Sequence, residues 1–176
     1  KKPCFQDHLQ RPYSFYLPGL RSCTFWPKEK FRLAEILEAN YEVIRDELFG
    51  ALTQEKEGHQ QLNFSDYEGD GADADKGCMI DMGGELRVLY FYHNFEPDHA
   101  NWLRFPKLRE TFSQFGSEFL GGMVGFSSIT PGTHIVAHTG PSNMRLTCHL
   151  GIVGCEDVEV QVGNDKRYYE NGKCIV

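Results

Sequence analysis

Apolar positions along the chain follow two regimes. Between Pro27 and Gly50 they recur every three or four residues, at Leu33, Ile36, Leu37, Tyr41, Ile44 and Leu48. That spacing predicts a helix over 27–50 with one buried face. Pro27 opens it where a missing N–H does no harm, and Gly50 marks its end. From Gly121 onward the pattern shortens to β-type runs at Met123–Ile129, Thr133–Ala137, Arg145–Val153, Val158–Val162 and Lys173–Val176. Turn signals separate them: Pro131-Gly132, Gly140-Pro141, Gly154, Asn164-Asp165 and Asn171-Gly172. Short strands at this spacing predict an antiparallel sandwich or barrel.

The remaining segments fill in around these two regimes. Residues 1–26 are aromatic and irregular, with Phe5, Tyr13, Phe15, Tyr16, Phe25 and Trp26 punctuated by Pro12, Pro18 and Gly19, and read as an extended arm on a core. Glu85–Tyr92 (ELRVLYFY) reads as a strand and Trp102–Gln114 as a short helix. Residues 53–78 are polar and lack periodicity. There Asp66, Glu68, Asp70, Asp73 and Asp75 gather around Gly69 and Gly71. An EF-hand-like calcium loop starting at Asp66 needs a bidentate Glu at its twelfth position, and Gly77 stands there. A solvated acidic loop is the expectation. The whole reads as one domain, 1–176, mainly β with N-terminal helices: arm 1–26, helix 27–50, acidic loop 53–78 and β-core 121–176.

Charge and length narrow the classes. Of 176 residues, 18 are Lys or Arg and 25 Asp or Glu, a net charge of −7. That balance argues against a nucleic-acid surface, which is built from clustered cations. No apolar run is long enough to span a bilayer, so a membrane anchor, if the protein has one, is expected outside this chain. The chain starts without Met and stops in the apolar run Gly172–Val176, a strand just beginning, which predicts an internal piece of something longer. Six cysteines occur without a C-x-x-C, which disfavours a zinc ribbon. Cys155 and Cys174 can bridge if their strands are neighbours; otherwise they are buried free thiols.

The densest chemistry lies in Ser127–Gly151, SSITPGTHIVAHTGPSNMRLTCHLG, which holds Ser127, His134, His138, Arg145 and His149. His134 and His138 lie about 13 Å apart if extended, at the rise of a strand, and cannot share a metal ion. His138 and His149 differ, because the loop Thr139–Met144 lets their strands run back beside each other. Two imidazoles with a guanidinium then describe a metal site beside a carboxylate site. The same spacing also describes a hydrogen-bonded hairpin with structural histidines, and spacing alone leaves both open.

The stretch Pro131–Gly151 closely resembles the aspartyl/asparaginyl β-hydroxylase family, through P-G-T-H, three residues, H-x-G-P-x-N and R-L-x-x-H-L-G. Weaker similarity covers Leu17–Phe31, Leu37–Leu48 and Tyr168–Val176, where YYENGKCIV looks like the family's W-x-E-G-K strand. The resemblance implies a double-stranded β-helix (jelly roll), here truncated at its C-terminal end. It implies an oxygenase dependent on iron(II) and 2-oxoglutarate that hydroxylates the β-carbon of Asp or Asn in a polypeptide substrate, such as an EGF-like domain. It also implies a membrane-anchored setting in the endoplasmic reticulum lumen. His138 matches the first iron ligand and is the catalytic position. Gly140 stands where most such oxygenases carry a carboxylate, and this family lacks that carboxylate. Ser127 and His149 match residues that contact 2-oxoglutarate. Arg145 fits R-L-x-x-H and either faces the cofactor or braces the hairpin.

Three departures stand out. Thr147 replaces an arginine that contacts 2-oxoglutarate in many members, and losing a charged partner costs about 1.5–3 kcal/mol if nothing replaces it. Leu86 aligns with a tryptophan near the cofactor. The second iron-binding histidine and the arginine for the distal carboxylate are expected beyond Val176, so this fragment alone is expected to be inactive and to bind iron poorly. A rival reading follows from Thr147: a non-catalytic jelly-roll binding domain that has lost its cofactor.

Overall fold

The computed structural model describes residues 12, 14–58, 61–66, 80–93, 96–115 and 122–176. After a 3-10 turn at Lys28–Lys30, the expected helix is two, α1 (Arg32–Ala39) and α2 (Tyr41–Lys56). Asn40 separates them: its Nδ2 donates to Ile36 O at 2.8 Å and its carbonyl accepts from Ile44 N at 3.0 Å. One side chain thus closes the first helix while the backbone starts the second. Gly50 does not end α2, which runs on to Lys56, with Gly58 at φ 79 just beyond it. Of the periodic face, Ile36, Leu37, Ile44 and Leu48 are buried while Leu33 and Tyr41 are half-buried, and Ala34 joins the buried set.

The second helical region also splits. α3 (His99–Arg104) starts at Asp98, whose carboxylate accepts from Asn101 N at 2.9 Å. α4 (Pro106–Ser113) begins at a proline, and the residue before a proline is pushed out of helical geometry. Glu47 of α2 accepts from both Lys107 N and Leu108 N, at 2.7 and 2.8 Å, so one helix caps another.

Two short strands, β1 (Ser65–Asp66) and β2 (Ile80–Met82), precede the long β3 (Leu86–His93). β4 (Glu96–Pro97) follows, then β5 (Val124–Ile129). β3 is the centre of a four-stranded antiparallel sheet, pairing with β1, β4 and β5, and its register with β5 runs from Leu86↔Ile129 to Tyr92↔Val124. Leu89 and Phe91 of β3 and Phe126 of β5 face the helices. Phe91 meets Trp102, Phe105 and Phe126 with ring centroids 5.0, 5.0 and 5.4 Å apart. The core therefore lies between this sheet and the helices.

The remaining strands form three two-stranded antiparallel ladders. β6 (His134–Ile135) pairs with β2, β7 (His149–Leu150) with β10 (Cys174–Ile175), and β8 (Glu159–Val162) with β9 (Asp165–Tyr168). β9 escaped the hydrophobic pattern because Asp-Lys-Arg-Tyr is exposed throughout and a strand of polar residues carries no apolar period. Helices and antiparallel strands occur in mixed proportion, rather than the mainly β content expected, and the described residues form no closed barrel.

The expected hairpin between 133–137 and 145–153 does not form, because each side has another partner. The loop between them is engaged by the arm instead. Ser14 N and Phe15 N both donate to Pro141 O at 3.0 Å, and Leu17 N donates to Asn143 Oδ1 while Asn143 Nδ2 donates to Leu17 O, each at 2.8 Å. Trp26 N donates to Val176 O at 2.7 Å, fastening the arm to the end of β10. Cys155 and Cys174 are buried free thiols and do not bridge, and Cys23 and Cys148 are also free. Cys4, Cys78 and all of the acidic cluster except Asp66 lie outside the described residues, and the calcium reading with them. No helix among the described residues is long and apolar enough to cross a membrane.

Candidate active site

Side chains alternate along extended backbone, and this decides which way the site residues point. Cys148 and Leu150 pack against the helical core, so His149 between them projects from the other side of β7. Phe126 likewise faces the core, which turns Ser127 to the opposite face of β5, where it pairs with the buried Val88. Ser127 and His149 thus both face away from the helices. Both are exposed, as are His134, His138 and Arg145.

His138 sits in irregular backbone after β6, and its Nδ1 lies 2.8 Å from Val136 O. A carbonyl can only accept, so Nδ1 carries a proton, and in the neutral ring the lone pair is therefore on Nε2. That is the state a metal-ligating imidazole needs, with its second nitrogen occupied by a backbone carbonyl. His134, four residues earlier, lies in β6 opposite Met82, whereas His138 belongs to no ladder.

His149 is held from the side. Its Nδ1 is 2.6 Å from the Tyr169 hydroxyl, and the two rings stack with centroids 5.9 Å apart and planes 18° from parallel. The residue is exposed as a whole, yet desolvation of the ring lowers its pKa below the ordinary 6.5. Burial likewise pushes the Tyr169 phenol up to about 12, with a smaller contribution from Cys155. Both groups are therefore neutral near pH 7.

Arg145 lines a cavity of about 210 Å³ between the arm and the 139–146 loop. Arg21, Cys23 and Trp26 come from the arm, and Thr139, Gly140 and Asn143 from the loop. The Arg21 guanidinium lies 5.5 Å from the Trp26 ring centre. An arginine from each side of this cavity, Arg21 from the arm and Arg145 from the loop, suits a carboxylate. At Gly140 a side chain would find room: a Cβ there would lie 3.8 Å from Ser142 O and 3.9 Å from Arg145 Nη2. The position that lacks a carboxylate thus faces a guanidinium.

Arg145 and Gly140 come together at this cavity, with His138 next in the chain before Thr139 of its wall, while Ser127 and His149 lie on separate ladders. Among the described residues no group of three or more His, Cys, Asp or Glu side chains is placed to hold a metal ion. His138 fits the role of one imidazole ligand; the described residues do not complete the set. Sequence reasoning missed Tyr169 and Arg21. The only signal for Tyr169 was an aromatic pair in the strand-like stretch after the Asn164 turn, and nothing in the sequence set Arg21 apart from Lys1, Lys2 and Arg11 of the same arm.

Comparison with known proteins agrees with the motif. A family model described as aspartyl/asparaginyl beta-hydroxylase matches residues 38–176. The human protein named aspartyl/asparaginyl beta-hydroxylase is 39% identical over 184 residues, covering 90% of this chain and 20% of its own length. Aspartate beta-hydroxylase domain-containing protein 2 of Xenopus tropicalis is 26% identical and domain-containing protein 1 of Bos taurus 28%, each covering 96% of this chain and 43% of its own length. The chain therefore spans less than half the length of these curated relatives. With the family match extending from α1 to the final residue, through both His138 and His149, the chain belongs to the aspartyl/asparaginyl β-hydroxylase family.

Proposed function

We propose that the protein containing this chain is an iron(II)- and 2-oxoglutarate-dependent dioxygenase that hydroxylates a peptidyl Asp or Asn at its β-carbon, on a jelly-roll framework of which β3, β5, β7 and β10 are part. The observation that carries this reading is His138: it stands in the family's H-x-G-P-x-N motif and has Nδ1 committed to Val136 O, leaving Nε2 to bind a metal. Bound iron(II) would supply the oxidising chemistry, coupling decarboxylation of 2-oxoglutarate to succinate with insertion of oxygen into a C–H bond. The chain's own share is binding and orientation. Ser127 and His149 offer hydrogen bonds to the cosubstrate carboxylates, and Arg145 adds a fixed positive charge at the cavity. Gly140 leaves the metal without a carboxylate two residues after His138, so a coordination position stays open to water.

The polypeptide substrate, an EGF-like domain being one fit, belongs to the same proposal. The arm–loop cavity with its two arginines suits an acidic peptide group. The test is succinate release by the full-length protein supplied with iron(II), 2-oxoglutarate and an Asp-containing EGF-like peptide. His138→Ala is expected to abolish it, and turnover that survives this substitution would falsify the reading. The isolated 176-residue chain is expected to bind iron weakly in a titration, as one imidazole competes poorly with water.

Thr147 favours a second reading, a binding domain of the same fold that has lost its cosubstrate. A threonine there brings no charge to a dicarboxylate. Full-length protein that binds the peptide but neither binds nor consumes 2-oxoglutarate would establish it.

A further inference from the structure

Building on the oxygenase reading above, we propose that Tyr169 is a positioning residue, whose hydroxyl holds His149 with its proton on Nε2 and its ring fixed, so that His149 meets 2-oxoglutarate as a neutral hydrogen-bond donor. The contact itself is short, 2.6 Å from hydroxyl oxygen to Nδ1, and the near-parallel rings keep it in line. Two proton placements are conceivable: the phenol O–H donates to Nδ1, or Nδ1–H donates to the phenol oxygen. A separation of 2.6 Å suits a hydroxyl donor, since N–H donors sit nearer 2.9 Å. Among the described residues, Nδ1 of His149 is the hydroxyl's one hydrogen-bond partner. If Nδ1 were the donor, the phenol's own proton would be left without an acceptor in a crowded place, and an unmade buried bond is costly. The first placement satisfies both rings. It leaves Nε2 as an N–H, and Nε2 is the nitrogen that Tyr169 does not cover.

The clamp is anchored at both ends. Tyr169 N donates to Val158 O at 2.8 Å, and His149 is paired through β7 to Ile175 of β10. Its flanking residues Cys148 and Leu150 are packed against the helical core. The imidazole has only its ring torsions free, and the hydroxyl removes those. His138 and His149 then carry opposite tautomers, one prepared to give a lone pair and the other to give a proton.

The test is to label the full-length protein with 15N-histidine and compare it with Tyr169→Phe, measuring 2-oxoglutarate affinity calorimetrically with manganese(II) present. In the parent, His149 is expected to show Nε2 protonated and Nδ1 as an unprotonated acceptor. Tyr169→Phe should move the Nδ1 resonance toward an unbonded ring nitrogen and weaken 2-oxoglutarate about three- to tenfold. In a His149→Gln background the same change should add nothing, because the hydroxyl acts through the imidazole. A proton on Nδ1 in the parent, or an Nδ1 resonance and affinity unmoved by Tyr169→Phe, overturns this proposal alone. A parent that fails to bind 2-oxoglutarate overturns it together with the oxygenase reading.

Discussion

Glu38 on α1 reaches across to the last strand and accepts the Cys174 backbone N–H at 2.7 Å, while the same oxygen accepts Lys28 Nζ at 2.5 Å. Burial disfavours its charge, but Lys28 and the Cys174 amide outweigh that, and the Glu38 pKa lies below the ordinary 4.5. A depressed carboxylate stabilises the fold fully above its unfolded value and loses that share as pH falls through the folded one. Glu38→Ala is expected to cost about 1–2 kcal/mol at neutral pH, allowing for partial solvent screening. Urea melts of Glu38→Gln should show a flatter decline below pH 4.5 than the parent. An unchanged acid limb removes Glu38 from the account.

His149 predicts a second pH effect of the same direction. Its folded pKa is lowered by desolvation, so the folded ring takes up its proton later than the unfolded one as pH drops. Its contribution is complete above 6.5 and declines as pH falls from there to the folded value. Thermal melts between pH 7 and 5 should fall less steeply for His149→Gln than for the parent. Equal slopes would mean that the ring protonates freely in the folded state.

Gly172 cannot be replaced cheaply. It sits at φ 75, and a Cβ there would lie 2.9 Å from Tyr41 Cδ1. The Tyr41 ring has no easy retreat, because its hydroxyl donates to Ile152 O at 3.0 Å and Arg45 lies over its face. Gly172→Ala is expected to lose about 2–4 kcal/mol from backbone strain and overpacking together. Gly154→Ala has similar strain at φ 66 but open space, and should lose only about 1–2 kcal/mol. Denaturant midpoints of the two variants separate the two effects.

Gly140→Asp is expected to fold with stability within about 1 kcal/mol of the parent, since beyond its chain neighbours the atom nearest the new Cβ is Ser142 O at 3.8 Å. The introduced carboxylate should pair with Arg145 rather than extend a metal site. Iron titration of full-length Gly140→Asp is therefore expected to show no tighter binding, and 2-oxoglutarate binding should weaken several-fold as Arg145 is neutralised. Tighter iron binding would place the new carboxylate beside the metal and Arg145 elsewhere.

The helical face from Leu33 to Leu48 was legible because a period of 3.6 survives a one-residue break, and so the pattern ran through Asn40 without registering it. β3 and β5 were legible because Leu89, Phe91 and Phe126 alternate with residues on the opposite face. The ladder partners were not. Whether His149's strand lies beside residues 133–137 or beside β10 depends on pairing across long separations, and local alternation is blind to that. Motif spacing singled out His138 and His149, whereas the Tyr169 hydroxyl twenty positions on from His149 entered only with three-dimensional structure.

The arm's hold on the 139–143 loop has a consequence for how this chain can vary. Pro141 and Asn143 are gripped by Ser14, Phe15 and Leu17 through main-chain groups that any residue but proline supplies. Divergence in the arm's side chains can thus reshape the cavity wall at Arg21 and Trp26 while the loop keeps its course. The lining is free to drift on one strap of backbone without disturbing the course of the loop that follows His138.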